Sequence, residues 1–263
     1  MDTASSAIGL FNFAIECFGC IQLARQFEKK FEIYQVKLDL IQLRLSRWGE
    51  VARIAEIDQV IEGKSDGGND SPERMAKAIL GEIEDLLFSA QREATEMQSK
   101  DDEPLDPSLH VPRDLQKIRT VFKKFVQKRK KEAVVAVQSL KWAFYKKEHF
   151  ESFVIEISGL VESLEQLFPS EDNKQMLREL SDEECKEIGK TNLKSLKPIV
   201  EGLDPWLEEA VEVEFQKKAA GETTYNINQS HIKGHATGVH HGDVNGQIIG
   251  KGARTTQNFA GTN

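Results

Sequence analysis

Cysteine and histidine are the residue types in this chain whose spacing is suited to redox or metal chemistry. Cys17 and Cys20 form a CxxC pair, and Cys185 is the third cysteine. The pair lies in an apolar, helix-favouring stretch without the strand–helix–strand context of a redox site, and three cysteines do not make a disulfide framework. We interpret all three as buried structural thiols, and this cysteine usage predicts a cytoplasmic protein.

The histidines do not predict a metal site. Four of the six lie near the C-terminus, at His231, His235, His240 and His241. Their spacing suits a metal, but this polar segment offers no second layer of residues to orient the ligands. The other two, His110 and His149, are isolated, and each is predicted to be a surface or loop residue rather than a catalytic base.

Catalytic motifs are also missing from the sequence. The region before residue 223 contains no GxxxxGK, GxSxG or HExxH pattern. The carboxylate pairs Glu183-Glu184 and Glu208-Glu209 stand at helical positions, where we expect them to face solvent. The sequence therefore predicts neither an enzyme nor a bound cofactor.

The first apolar stretch runs from Ala4 to Ala24, and its only strongly polar members are Asn12, Glu16 and Gln22. As one helix it would measure about 31 Å, close to the thickness of a bilayer core. A secretory signal would be expected to carry basic residues before its apolar run, and here only Asp2 precedes it as a charged side chain, so we do not predict one. We favour a helix packed in a bundle over a permanent transmembrane anchor. A third possibility is a helix that is buried in the soluble protein and later enters a membrane. The sequence does not distinguish this possibility from a helix that stays packed in the bundle.

Composition and charge fit one good-sized domain with an appendage. The chain has 263 residues, 39% hydrophobic and 30% charged, and a net charge of −8. Because phosphate binding needs a basic surface, this charge argues against nucleic acid as the main partner.

Hydrophobic periodicity predicts an all-α, multi-helix domain over residues 1–220, without a strand-rich region before residue 223. A long helix is expected from Phe27 to Asp58 because this segment lacks glycine and proline until Gly49. Its buried stripe would be Ile33, Val36, Leu40, Leu43 and Trp48. Further helices are predicted over 71–97, from Arg113 through the basic run 123–131, and over 133–145, 150–168, 173–188 and 204–219, with Ser71 and Asp204 as N-caps. We expect the basic run to be a solvated face, with anionic lipid headgroups as the alternative.

The segment 221–263, which we call the tail, has a different composition. From residue 223 onward it lacks Leu, Glu, Cys, Trp and Pro, and glycines recur every fourth residue. Such a segment is not expected to fold alone. β-branched residues, Asn and Gln, low charge and absent proline favour cross-β stacking between copies, and a functionally silent terminus is the alternative. The residues predicted to carry the stacking are Asn226, Asn228, Gln229, Ile232, Gly234, Gly238, Val239, Gly242, Val244, Asn245, Gly246, Ile248 and Gly250.

Several segments resemble one known family. They are Ile8-Gly-Leu-Phe11, Glu16-Cys-Phe18, Gln22-Leu23, Leu43-Arg-Leu-Ser-Arg-Trp-Gly-Glu50, Lys141-Trp-Ala-Phe-Tyr145 and the stretch from Phe153 to Pro169. Together they look like the HeLo domain of fungal heterokaryon-incompatibility and cell-death proteins of the HET-S/HET-s type, over roughly residues 6–215. The tail lacks that family's clear pseudo-repeats and looks more like the short amyloid motifs that fungal HeLo proteins share with their receptors.

The resemblance implies a cell-death effector whose tail is templated into an amyloid by a NOD-like receptor or a prion partner. Templating would destabilise the helical domain, which would move to the plasma membrane and insert the N-terminal helix, at about residues 4–24. The implied inserting residues are Ile8, Leu10, Phe11, Phe13, Ile15, Glu16, Phe18 and Ile21. The implied partners are further copies of the chain, through the tail and through a helical-domain dimer, and membrane lipid. The alternative is a soluble adaptor that is recruited to a NOD-like receptor scaffold through its tail. The resemblance leaves open whether the chain is a killing or an inhibitory allele.

Overall fold

The computed structural model describes residues 6–24, 27, 30–63, 71–97, 111–130 and 141–221. In these ranges the chain forms nine helices and two short strands. In chain order they are α1 (Ala7–Cys20), β1 (Ile21–Leu23), α2 (Phe31–Val51), α3 (Ile54–Gly63), α4 (Pro72–Met97), α5 (Arg113–Arg129), β2 (Trp142–Phe144), α6 (Lys147–Gln166), α7 (Glu171–Ile188), α8 (Lys190–Val200) and α9 (Pro205–Gly221). The predicted all-α class is confirmed. The predicted tail residues lie outside the described ranges.

Helix α2 is the central element, and the other helices except α4 and α9 pack around it. Most of its residues are buried, on every side of the helix. In the predicted stripe Val36, Leu40, Leu43 and Trp48 are buried, whereas Ile33 is partly exposed. The alternating apolar and polar pattern of this segment is therefore that of a helix buried all round, not that of a helix with one solvent face. Its polar side chains must find partners inside the protein.

The predicted long helix over 27–58 is wrong at both ends. It begins at Phe31, and it stops at Val51 because Arg53 takes a left-handed conformation with φ of 50°. This break redirects the chain into α3, where Ile54 and Ile57 are buried. Neither glycine nor proline marks the break, so the local sequence does not reveal it.

Two short parallel strands lie where the sequence predicted helix, so the prediction is wrong at both positions. Ile21, Gln22 and Leu23 pair with Trp142, Ala143 and Phe144. The N–H group of Ala24 also donates to Phe144 O at 3.0 Å. Helix α1 therefore ends at Cys20 rather than continuing to Ala24, and β1 ties its C-terminal end to the start of α6.

Helices α4 and α9 follow their predicted starts and caps more closely. Ser71 accepts from Arg74 N–H, and Asp204 accepts from Leu207 N–H at 3.1 Å. Helix α8 was not predicted. It starts after Gly189, whose φ of 76° suits glycine, and it contains Pro198.

Candidate functional site

Helix α1, which carries most of the residues predicted to insert in a membrane, packs in a groove formed by α2, α3 and α4. Of the eight predicted residues, Leu10, Phe11, Ile15, Phe18 and Ile21 are buried, and Ile8, Phe13 and Glu16 are partly exposed. The apolar surface of α1 is thus largely hidden in this fold. In the described ranges no helix combines the length and the apolar character needed to cross a bilayer.

The N-terminus of α1 is fixed by side-chain oxygens. Ser6 Oγ accepts from Gly9 N–H at 3.0 Å. The carboxylate of Asp58, on α3, accepts from the N–H groups of Ala7 (2.9 Å) and Ile8 (3.3 Å). These are donors that a helix leaves unpaired in its first turn, and the negative charge also suits the helix dipole. Asp58 was not identified from the sequence, because it is 50 residues away from α1 along the chain.

The middle of α1 packs closely on α2 through an aromatic contact. The rings of Phe11 and Trp48 lie 6.2 Å apart, and Trp48 Nε1 donates to Leu164 O at 2.9 Å. A methyl group on Gly49 would lie 2.5 Å from Phe11 Cε2 and Cζ. Glycine at position 49 therefore lets Phe11 approach the α2 backbone.

Further aromatic pairs join α1 to α4 and α6. Phe18 lies 6.3 Å from Phe153 of α6, and Phe13 lies 4.9 Å from Phe88 of α4, measured between ring centroids. Phe88 is 50% exposed. The Phe13–Phe88 pair is consequently at the edge of the groove, where α1 and α4 meet solvent.

Two polar contacts join α1 to α2 and to the residue after α5, the first buried and the second partly exposed. Gln42 Nε2 donates to Ile15 O at 2.7 Å. The carboxylate of Glu16 pairs with the ammonium of Lys130, the residue that follows α5. Lys130 was predicted only as part of a solvated run. Its neighbour Arg129 is buried, in contradiction of that prediction, whereas Lys124 and Lys128 are exposed.

The cysteines differ in their exposure. Cys17 and Cys185 are buried, and Cys20 is partly exposed. Burial, together with the nearby Cys20, Glu84 and Glu16, raises the pKa of Cys17 to about 12. A thiol with this pKa stays protonated at neutral pH, so it is a poor nucleophile.

His149 lies near the surface as predicted, in an open groove between α4 and α6 with a volume of about 350 Å³. Its Nδ1 lies 3.1 Å from Glu93 Oε2, while the hydroxyl of the neighbouring Ser152 donates to Glu156. Among the described residues no hydroxyl is hydrogen-bonded to this imidazole. The groove thus lacks the hydroxyl–imidazole pair that nucleophilic catalysis uses.

A buried charge network joins α2 to the C-terminal helices. Arg47 of α2 donates to Asp204 at 2.9 and 3.0 Å and also to Glu184 of α7, and all three side chains are fully buried. Arg129 of α5 also pairs with Glu184. The prediction that Glu184 faces solvent is therefore wrong, although the adjacent Glu183 is exposed.

The network sets the ionisation of Asp204, which is the N-cap of α9. Burial alone would raise the pKa of its carboxyl, but the charge and hydrogen bonds of Arg47 hold the pKa below its ordinary value of 3.8. One turn before Arg47, Arg44 forms a two-pronged pair with Glu165 and donates to Leu203 O at 2.8 Å. Arg44 and Arg47 together fix the start of α9.

Comparison with known proteins agrees with this architecture. Residues 3–199 match the HeLo family model, described as "Prion-inhibition and propagation". The chain is 31% identical over 211 residues to heterokaryon incompatibility protein s of Podospora anserina, covering 79% of this chain and 71% of that protein. It is 30% identical over 220 residues to heterokaryon incompatibility protein S of the same fungus, again covering 79% and 71%.

Solved structures of the HET-s N-terminal domain have the same fold. One superimposes with a TM-score of 0.73 and 26% identity, covering 82% of this chain and all of that domain. A double mutant of the domain gives a TM-score of 0.71 at 26% identity, covering 81% of this chain and 99% of that one.

Proposed function

The chain belongs to the HeLo family, and on this premise we propose that it is a non-enzymatic effector of fungal cell death that permeabilises a membrane through α1. The observation that carries the proposal is the burial of the apolar side of α1. The apolar side chains of α1 are kept in a groove of the soluble domain, and the bilayer would compete with the groove for the same side chains.

For its apolar side chains, exchange of α1 between the groove and the bilayer costs little free energy. Full burial of Leu, Ile or Phe contributes about 1.5–3 kcal/mol per side chain, and hydrocarbon replaces most of this for Leu10, Phe11, Ile15 and Phe18. Glu16 opposes the exchange, by about 2.5–3.5 kcal/mol at the bilayer centre. The polar contacts of Asp58, Gln42 and Lys130 with α1 must also break. An external source of free energy is therefore needed.

We assign this source to assembly of the tail. The tail begins directly after α9, whose N-cap Asp204 is held by Arg47. Stacking of tails, templated by a receptor or by another copy, would crowd the helical domains and pull on α9.

The observed α1 has 14 residues, about 21 Å, so we expect the three residues of β1 to leave β2 and extend the helix on insertion.

The tail proposal is tested with a peptide of residues 222–263. We expect fibrils with a cross-β reflection at about 4.7 Å, because the peptide combines β-branched residues with Asn and Gln and lacks proline. Fibre diffraction is the measurement. A peptide that stays monomeric at high concentration, or fibrils without this reflection, would contradict templating through the tail.

The membrane proposal is tested with Phe13→Lys, and Phe88→Lys is the matched control. Both variants remove the same ring contact at the edge of the groove, but only Phe13 lies on α1. A lysine in the middle of an inserted helix costs about 3 kcal/mol relative to phenylalanine, or more than a hundredfold in the insertion equilibrium. We therefore expect Phe13→Lys to suppress dye release from anionic liposomes seeded with tail fibrils, and Phe88→Lys to retain it.

Thermal unfolding of the two variants provides the folding control, since a lysine at either partly exposed position reaches solvent with its ammonium group. Equal leakage from both variants would count against insertion of α1. It would favour the alternative, a soluble adaptor recruited through its tail.

A further inference from the structure

Four residues of α1 form a stripe that the packing of the domain does not explain. Gly9, Asn12, Glu16 and Gly19 follow one another at intervals of three, four and three residues. This spacing places them on one side of the helix. Residues that face a partner helix in a bundle have the same spacing. We call them the polar seam. The buried Leu10, Ala14 and Phe18 lie on the other side of α1.

Asn12 is the buried polar residue of the seam. Its side chain is 3% exposed, and its Oδ1 atom has no hydrogen-bond partner within the described part of the chain. A buried polar atom without a partner destabilises a fold, and such an atom calls for an explanation. The buried amide of Gln42, by contrast, donates to Ile15 O at 2.7 Å.

Two further members of the seam, Gly19 and Glu16, also have features that suit another state. Gly19 is exposed, and a methyl group there would meet nothing closer than Gln42 Nε2 at 4.0 Å. Alanine would fit and would favour the helix more than glycine does. Glu16 has Lys130 as its partner, but Lys130 lies outside α1 and would stay behind if α1 left the groove. The seam is thus poorly suited to the soluble state at several of its positions.

These features suit a helix that meets copies of itself in a membrane. Glycine lets helices approach closely, and asparagine hydrogen-bonds between helices where lipid offers no partner. A carboxylate within a membrane is stable only when it faces protein or water, and rings of Glu side chains make pores cation-selective.

We propose that inserted copies of α1 associate along the polar seam, with Asn12 linking neighbouring helices and Glu16 lining a water-filled, cation-selective lumen. The inference rests on the proposed function and assigns the pore-facing residues and the class of permeant ion. The permeant ions are cations, and K⁺ is the probe used in the test.

The test measures currents of the full-length protein, activated by tail fibrils, across a planar bilayer with a KCl gradient. The wild-type reversal potential should lie near the K⁺ equilibrium value. Glu16→Gln should move it most of the way to zero. Lys130→Gln is the matched control, because it breaks the same ion pair in the soluble domain without changing the pore, and it should leave the reversal potential unchanged.

Asn12→Leu keeps the branched outline of the side chain and removes its unpaired oxygen. We expect a higher Tm for this variant than for the wild type and at least a tenfold loss of channel events. A gain in stability with a loss of activity is not what a damaged fold would show.

One contrary result is a wild-type protein that conducts while Glu16→Gln keeps the same ion selectivity and Asn12→Leu keeps the same frequency of channel events. This result would overturn the role of the polar seam and leave the proposed function standing. Complete absence of conductance from the wild-type protein would overturn the seam together with the proposed function.

Discussion

Replacing Arg47 by methionine should lower the free energy of unfolding by about 3–5 kcal/mol, because it leaves the fully buried Asp204 without its cation. Glu184 keeps a second partner in Arg129, so Asp204 is the group left without compensation. For a domain of this size the loss corresponds to a Tm lower by roughly 6–20 °C. Urea denaturation and calorimetry of the full-length chain measure both quantities.

Two variants isolate the cause. Lys124→Met removes an exposed pair with Glu187 from the α5–α7 contact and should change stability by less than about 1 kcal/mol. Arg47→Met combined with Asp204→Asn removes the stranded charge and keeps a good N-cap residue, so it should recover part of the loss. A loss in Arg47→Met no larger than that in Lys124→Met would show that the network is not a source of stability.

The pH dependence of Arg47→Met has a defined sign. In the wild type the pKa of Asp204 is depressed, so the contribution of the pair is complete above the ordinary pKa of 3.8 and is lost as the pH falls through the folded-state value. In the variant, burial raises the pKa of the same carboxyl, which then takes up a proton at a higher pH. The difference in stability between the two proteins should therefore shrink between about pH 7 and pH 4.

The sequence predicts the features of this fold that depend on neighbouring residues. Helix α4 starts at Ser71-Pro72, and α9 starts at Asp204-Pro205, because an N-cap and a first-turn proline act within one turn. The apolar character of Ala4 to Ala24 similarly predicts a helix that must be covered. These signals are local, so one sequence is enough to read them.

The features that the sequence did not predict depend on distant partners. Arg47 and Glu184 are 137 residues apart, and each alone has the appearance of a solvated helical charge. β1 exists because Trp142–Phe144 lies beside it. The oxygen of Asn12 lacks a partner only because of the way α1 packs, so the polar seam becomes evident once the groove is known.

Cross-linking α1 to α4 should abolish membrane permeabilisation reversibly. The rings of Phe13 and Phe88 lie 4.9 Å apart at a partly exposed edge, so cysteines at these two positions are accessible to a short, thiol-cleavable bifunctional reagent. Cys20 is replaced by serine in this background because it is the only partly exposed native thiol among those that the structure describes; the other two are buried. The linked protein should still assemble through its tail, since the tail is not constrained.

The expected result follows from the competition between groove and bilayer. A covalent link makes separation of α1 from α4 impossible without unfolding α4, whereas a hydrophobic contact of two rings contributes only about 0.5–1.5 kcal/mol beyond burial. Dye release should fall to background in the linked protein and return when the link is reduced. Each single-cysteine variant, treated with the same reagent, should release dye as the unmodified protein does. Release that is equal before and after reduction would mean that α1 acts without leaving its groove, which contradicts insertion while leaving assembly of the tail intact.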